Sequence, residues 1–289
     1  MNLRRCFFLS PIAAAAFLLA SIAPVASAIV IRHDIPDAAY LARESDYPSV
    51  FNLYLTKAGH KDCMATLIGP RFAITAAHCV NEKLRLSASA PEGPGFAVTI
   101  AGRPARIDAV LRHPGNGTDR APDIALLRLA EPVTHVAPMP LYRGTDEVGQ
   151  VVVMPGWGGT GNGDTGLGTE DGLFRVAENR VDRAEDGNLS WRFDAPGNPN
   201  VLTLEGISGP GDSGGPALIH TDSGWRIAGV GSGQDTMDGP EGLYGVQEYF
   251  VRISSFAEWI DEYVGSARGR GRTEVLSKYR GRPKFGGIN

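Results

Sequence analysis

Cysteine is scarce in this chain, three among 289 residues, and the six histidines are scattered. The clustered thiols and imidazoles of a structural zinc site are missing, and no metal or organic cofactor is implied. Beyond the first 28 residues no stretch is apolar enough to span a bilayer. A basic stripe on the body is missing as well. The formal net charge is −4; without Arg4 and Arg5 it is −6, and the tail from Ser266 to Asn289 carries seven basic residues against Glu274, which leaves −12 on Ile29 to Gly265. An acidic body with a short basic tail does not match a nucleic-acid-binding domain. The tail reads as a solvated terminus, with binding to an anionic surface as the alternative. No internal repeat is visible. What remains, 43% hydrophobic and 21% charged residues with 37 glycines, is the composition of a folded protein of one large unit or two small ones.

The first residues, MNLRRCFFLSPIAAAAFLLASIAPVASA, combine basic Arg4 and Arg5, an apolar stretch and a small-x-small ending at Ala26 and Ala28. That pattern predicts a secretory signal peptide over residues 1–28, and hence a secreted or periplasmic protein. A retained membrane anchor is the alternative, but Pro11 and Pro24 interrupt the run. Cys6 leaves with the leader. Cys63 and Cys79 then form an even pair in an oxidising compartment and are expected to be bonded to each other. Closing a loop of about 17 residues, such a bridge contributes roughly 3 kcal/mol.

Strand signals dominate the rest of the chain. Apolar or alternating runs occur at 51–55, 72–75, 84–88, 124–129, 151–154, 216–219 and 225–230, separated by Gly, Pro, Asn and Asp clusters. An all-β protein of short antiparallel strands is predicted. Phe256, Trp259, Ile260, Tyr263 and Val264 recur at helical spacing, with Ser255 and Glu258 as a capping box. The glycine-rich segment from Gly156 to Gly172 reads as a surface loop, without the strand-to-helix context of a nucleotide-binding loop.

Three segments carry chemistry. TAAHC (Thr75 to Cys79) places His78 at the end of an apolar strand beside the expected disulfide. PDIALLRL (Pro122 to Leu129) puts Asp123 directly before another. GPGDSGGP (Gly209 to Pro216) surrounds Ser213 with glycines. Alone, each has a bland reading: a structural histidine, a turn aspartate, an ordinary glycine turn. Together they supply a hydroxyl nucleophile, a base and a carboxylate to orient the base. Glycine next to the serine also lets backbone N–H groups converge on a developing oxyanion, and the donors would be Gly211 and Ser213.

The ordered set TAAHC, DIALL and GDSGGP resembles the chymotrypsin/trypsin family of serine peptidases, which shares this His, Asp, Ser chain order. Cys63 and Cys79 resemble the family's histidine-loop disulfide, PGWGGTG (Pro155 to Gly161) its AGWG segment, GVGSG (Gly229 to Gly233) its substrate-binding strand and RISSFAEWI (Arg252 to Ile260) its terminal helix. The resemblance covers roughly Ile29 to Val264. It implies two packed six-stranded antiparallel β-barrels with a C-terminal α-helix. The units would be residues 29–138 and 139–265, with a basic tail over 266–289. His78 and Asp123 would come from the first barrel and Ser213 from the second.

The same resemblance implies that leader removal exposes Ile29, whose ammonium would pair with Asp212, although IVIRHD departs from the family's usual start. It places Ile207 at the base of the primary specificity pocket with Ser208 beside it, Gly233 and Gly245 on its walls, and Ser232 in support of Asp123. An apolar base implies an uncharged residue before the scissile bond. The expected partner is a protein or peptide substrate, with no nucleic acid and no membrane span, and the chain is expected to be a monomer. A binding protein using the same cleft and an esterase using the same triad are the alternatives from other classes.

Overall fold

Alternating short runs become antiparallel strands because a period of two sends every second side chain to one face. The computed structural model describes residues 29–53, 63–80, 96–115, 122–168, 171–266 and 286–287. Strand β1 (Ile29–Ile31) comes first. Six strands follow in the N-terminal half: β2 (Val50–Asn52), β3 (Met64–Gly69), β4 (Phe72–Thr75), β5 (Phe96–Ile100), β6 (Arg103–Arg112) and β7 (Ala125–Leu129). They pair in the order β6-β7-β4-β3-β2 with β5 on β6, and β2 meets β5 to close the sheet. In β5 the inward phase is Phe96, Val98 and Ile100, all buried, while Ala97 and Thr99 face out. The run expected at 84–88 lies outside the described residues.

A second sheet holds β8 (Val151–Gly156), β11 (Arg175–Arg180), β12 (Arg183–Glu185), β13 (Asn188–Arg192), β15 (Pro216–Thr221), β16 (Gly224–Asp235) and β17 (Gln247–Arg252), in the order β11-β8-β15-β16-β17-β13-β12. Here β11 approaches β13, so this sheet curls on itself too. The fold is therefore all-β. The connecting segment is stitched to both halves, Met139 N donating to Leu67 O and Tyr142 N to Ile227 O. Helix α1 (Ile253–Ser266) packs Phe256, Trp259, Ile260, Tyr263 and Val264 on a core made mostly of first-half residues, to which Leu218, Ile227 and Val230 of the second half also belong. It starts before the expected cap: Ser255 lies inside it, and Ser254 donates to Glu147 instead. No helix among the described residues is long and apolar enough to cross a membrane. From the tail, β18 (Gly286–Gly287) pairs with β6.

Two placements depart from the linear reading. A small sheet, β10-β9-β1-β14, joins β1 to β9 (Thr160–Asn162), β10 (Gly166–Leu167) and β14 (Gly206–Ile207). Ile29, Val30 and Ile31 thus pack in the core of the second half, although chain order assigns them to the first. Asp37, in the same early segment, forms a bidentate pair with the buried Arg175, which also holds Asp171. The stretch from Gly156 to Gly159 is buried, which corrects the surface-loop expectation there. A Cβ at Gly156 or Gly158 would collide with Asp212, so glycine is what lets this segment close over that carboxylate.

Candidate active site

The end of β4 leads through Ala76 and Ala77 into a single turn that carries His78 and Cys79. Cys79 is bonded to Cys63, with 6.0 Å between their Cα atoms, which anchors this turn to the start of β3. Asp123 stands two residues before β7, the neighbour of β4, so pairing of the two strands brings Asp123 to His78. One carboxylate oxygen accepts from the His78 backbone N–H at 2.8 Å; the other lies 2.6 Å from the ring Nδ1. Ser232, in β16, donates to that second oxygen at 2.8 Å. Burial pushes the Asp123 carboxyl up, but its bonds to His78 and Ser232 and the charge of His78 outweigh it and hold the group below the usual range.

Ser213 comes from the turn before β15. Its carbonyl accepts from Met64 N at 2.7 Å, across the junction of the two halves. Gly214 adopts φ +79°, and a Cβ there would strike Thr75 and crowd the backbone of Ala76, two residues before His78. The serine turn therefore seats directly on the histidine segment. The Cys79 sulfur lies 3.7 Å from His78 Nε2 and 3.5 Å from the Ser213 carbonyl oxygen. The Ser213 hydroxyl itself makes no hydrogen bond to His78 among the described residues; in an unliganded site that bond is often long and tightens with substrate. Cys63, His78 and Cys79 cluster within 4.8 Å, but the disulfide leaves no thiolate for a metal.

Gly211 adopts φ +104°, a region closed to most side chains. This turns the Gly211–Asp212–Ser213 backbone so that the N–H groups of Gly211 and Ser213 have no internal partner among the described residues, while those of Asp212, Gly214 and Gly215 are bonded to Gly209, Gly231 and Asp212. Asp212 points the other way and is only 3% exposed. Its carboxylate accepts from Trp157, Gly158 and Gly209 N–H groups at 2.7–3.0 Å, and from Ile29. Burial nevertheless pushes it up to about 6. Ile29 is fully buried at φ +61°, a strained value for a β-branched residue.

The residues expected at the pocket differ in burial. Ile207 is fully buried, pairs with Val30 and belongs to the core of the second half. Gly245 faces the Arg192 guanidinium, whereas Gly233 is exposed with open space where a Cβ would stand. Ser208 is half-buried, and its N–H and hydroxyl both donate to Glu248. Sequence reasoning missed Glu248. The signal existed: in β17, Glu248 shares the inward phase with Phe250, an unusual place for a carboxylate.

Comparison with known proteins places the chain in a family. The trypsin family model matches residues 40–260. Serine protease 1 of Drosophila melanogaster is 26% identical over 240 residues, covering 78% of this chain and 84% of that protein. Melanization protease 1 of Drosophila melanogaster is 29% identical over 262 residues, 76% of this chain and 63% of that protein. Vitamin K-dependent protein C of Rattus norvegicus is 26% identical over 246 residues, 75% and 52% respectively. The family match spans well over half of the chain, and this protein is a serine endopeptidase of the trypsin family.

Proposed function

We propose that the enzyme is exported after removal of residues 1–28 and hydrolyses peptide bonds with His78, Asp123 and Ser213 as its triad. The observation that carries this is the double contact of Asp123 with His78, ring and backbone together, on a segment against which the Ser213 turn is packed. Asp123 fixes the imidazole with Nδ1 protonated, leaving Nε2 as the base. As Ser213 Oγ attacks the substrate carbonyl carbon, Nε2 takes its proton; the carbonyl oxygen becomes an oxyanion and accepts from the Gly211 and Ser213 N–H groups. Collapse of the tetrahedral species returns that proton to the leaving amine. Water then enters by the reverse sequence and releases the acyl group.

The leader supplies the control. With Ala28 attached, Ile29 offers Asp212 a neutral amide N–H and sits at a strained torsion. Cleavage after Ala28 converts that amide to an ammonium, which supplies a counter-ion to the buried carboxylate at the base of the oxyanion loop. Residues 29–138 and 139–265 act as the two barrels that form the cleft, and the enzyme works as a monomer on protein or peptide substrates, without nucleic acid. The finer part of this reading, an uncharged residue before the scissile bond, rests on the apolar side chain of Ile207, which is fully buried. The reading is tested by Ser213→Ala: peptide cleavage and labelling by a fluorophosphonate probe should both vanish while thermal unfolding stays near wild type. Persistent labelling would place the nucleophile elsewhere.

A further inference from the structure

Three metal-ligating atoms stand together beside the triad. Cys63 Sγ, Cys79 Sγ and a ring nitrogen of His78 all lie within 4.8 Å of one another, with Cys79 Sγ 3.7 Å from His78 Nε2. Around a tetrahedral zinc ion, with Zn–S about 2.3 Å and Zn–N about 2.0–2.1 Å, two sulfurs stand about 3.8 Å apart and a sulfur and a nitrogen about 3.6 Å. His78 already has that spacing from one sulfur. In the bonded form the two sulfurs are tied to each other, and neither is the thiolate that a metal requires.

Reduction leaves the three residues in place, because each is held by bonds other than the disulfide. The Cys63 carbonyl accepts from Leu53 N at 3.0 Å, Cys79 N donates to Ala76 O at 3.3 Å, and His78 N donates to Asp123 at 2.8 Å. With the cysteine Cα atoms 6.0 Å apart, rotation about the Cα–Cβ bonds is enough to part the sulfurs to the zinc spacing. Asp123 adds a second, independent feature. Its contact of 2.6 Å with Nδ1 puts the proton on that nitrogen, leaves the Nε2 lone pair free and raises its basicity, the arrangement in which metal-binding imidazoles are held. Burial completes the site: Cys63 and Cys79 are 5% and 4% exposed, whereas His78 is exposed, which leaves a side for entry and for a water as fourth ligand. The formal charge of −12 on Ile29 to Gly265 favours the approach of a cation.

We propose that the reduced protein binds one zinc ion through the Cys63 and Cys79 thiolates and His78 Nε2, and that this ion holds the enzyme inactive by occupying its base. A dithiol reductant breaks the Cys63–Cys79 bond: its two thiols give up two electrons and two protons and join as a disulfide, and each cysteine sulfur gains one electron and one proton. Zinc then takes both sulfurs as thiolates, and their protons pass to water. With its lone pair on the metal, Nε2 cannot accept the Ser213 proton, so attack on the substrate stops. A disulfide oxidant reverses the change. It takes two electrons from the thiolates and two protons from water, the Cys63–Cys79 bond forms again, and zinc leaves Nε2 because two of its three protein ligands are gone.

The inhibition rests on the endopeptidase reading above, with His78 as the base; the metal site does not, and the experiment separates them. The mature chain is reduced with a phosphine, desalted without oxygen and titrated with zinc(II) in competition with the chromophoric chelator pyridylazoresorcinol. Circular dichroism follows the fold, and a peptide amide follows activity. The expected result is one zinc per reduced chain, bound at least about 100-fold more tightly than by the oxidised chain, with cleavage lost in step with occupancy and restored by EDTA. His78→Ala and Asp123→Asn, both reduced, should each bind zinc about 10- to 100-fold more weakly than reduced wild type. Equal zinc affinity of the reduced and oxidised chains, or of reduced wild type and reduced His78→Ala, overturns the proposal. If the reduced chain unfolds without metal, zinc should refold it, because binding free energy then becomes folding free energy. A reduced chain that stays unfolded with zinc overturns the proposal as well. Tight binding that needs His78, with cleavage untouched, would leave the metal site standing and take the role of base from His78.

Discussion

Asp123 holds His78 at two points, 2.8 Å from the backbone N–H and 2.6 Å from Nδ1, so one carboxylate fixes both the position of the histidine and the orientation of its ring. Asp123→Asn keeps the size of the side chain but presents an amide that can donate to the ring and stabilise the wrong tautomer. We expect kcat to fall by about ten-thousandfold, with thermal unfolding shifted little. Steady-state kinetics on a peptide amide check it; a loss under tenfold would mean that Asp123 does not orient the base.

Asp212 gives a pH-dependent test of leader removal. With residues still attached before Ile29, burial raises Asp212 from the ordinary carboxylate value to about 6. The folded state then holds the proton more tightly than the unfolded chain. Stability is greatest below pH about 4 and is lost as pH rises through about 6, by roughly 3 kcal/mol for a two-unit shift. Asp212→Asn should therefore stabilise a chain that begins Met-Ala-Ile29 at pH 8. In the chain that begins at Ile29 the same substitution removes the partner of an ammonium and should destabilise. Denaturant titrations of both forms at pH 4 and pH 8 read the sign directly; the same sign in both would show that the Ile29 amine does not reach Asp212.

The disulfide ties the His78 turn to β3. Replacing Cys63 and Cys79 together with serine should cost roughly 3 kcal/mol. Activity should fall further than stability alone explains, because the turn that aims His78 loses its anchor. Denatured, unreduced mature protein should show no free thiol. Two reactive thiols per chain would mean that the bridge does not form.

Ile207 lies in the core of the second half. Its side chain is fully buried and its strand pairs with β1, so Ile207→Asp would place an unpaired carboxylate in the core of the second half. The expected result is a loss of several kcal/mol of stability, without a gain of basic preference. Thermal unfolding and the Arg-to-Leu kcat/KM ratio decide it. A folded variant with a raised Arg ratio would return Ile207 to the base of the pocket.

The sequence by itself determined the elements that depend on local pattern: the strand runs at 72–75, 151–154 and 216–219, the terminal helix and the all-β class. It also named His78, Asp123, Ser213, Cys63 and Cys79, because a motif keeps its residue types in order along the chain. Tertiary structure decided what depends on which strand lies beside which. Ile29 to Ile31 join the second half because β1 finds its partners in β9 and β14, about 130 and 175 residues away in the chain, and no local pattern encodes such a pairing. Gly156 to Gly159 read as a loop by composition, yet their missing side chains are what admit the Asp212 carboxylate. The burial of Ile207 and the placing of the Glu248 carboxylate beside Ser208 were decided in the same way, because which strand lies beside which sets what a side chain meets.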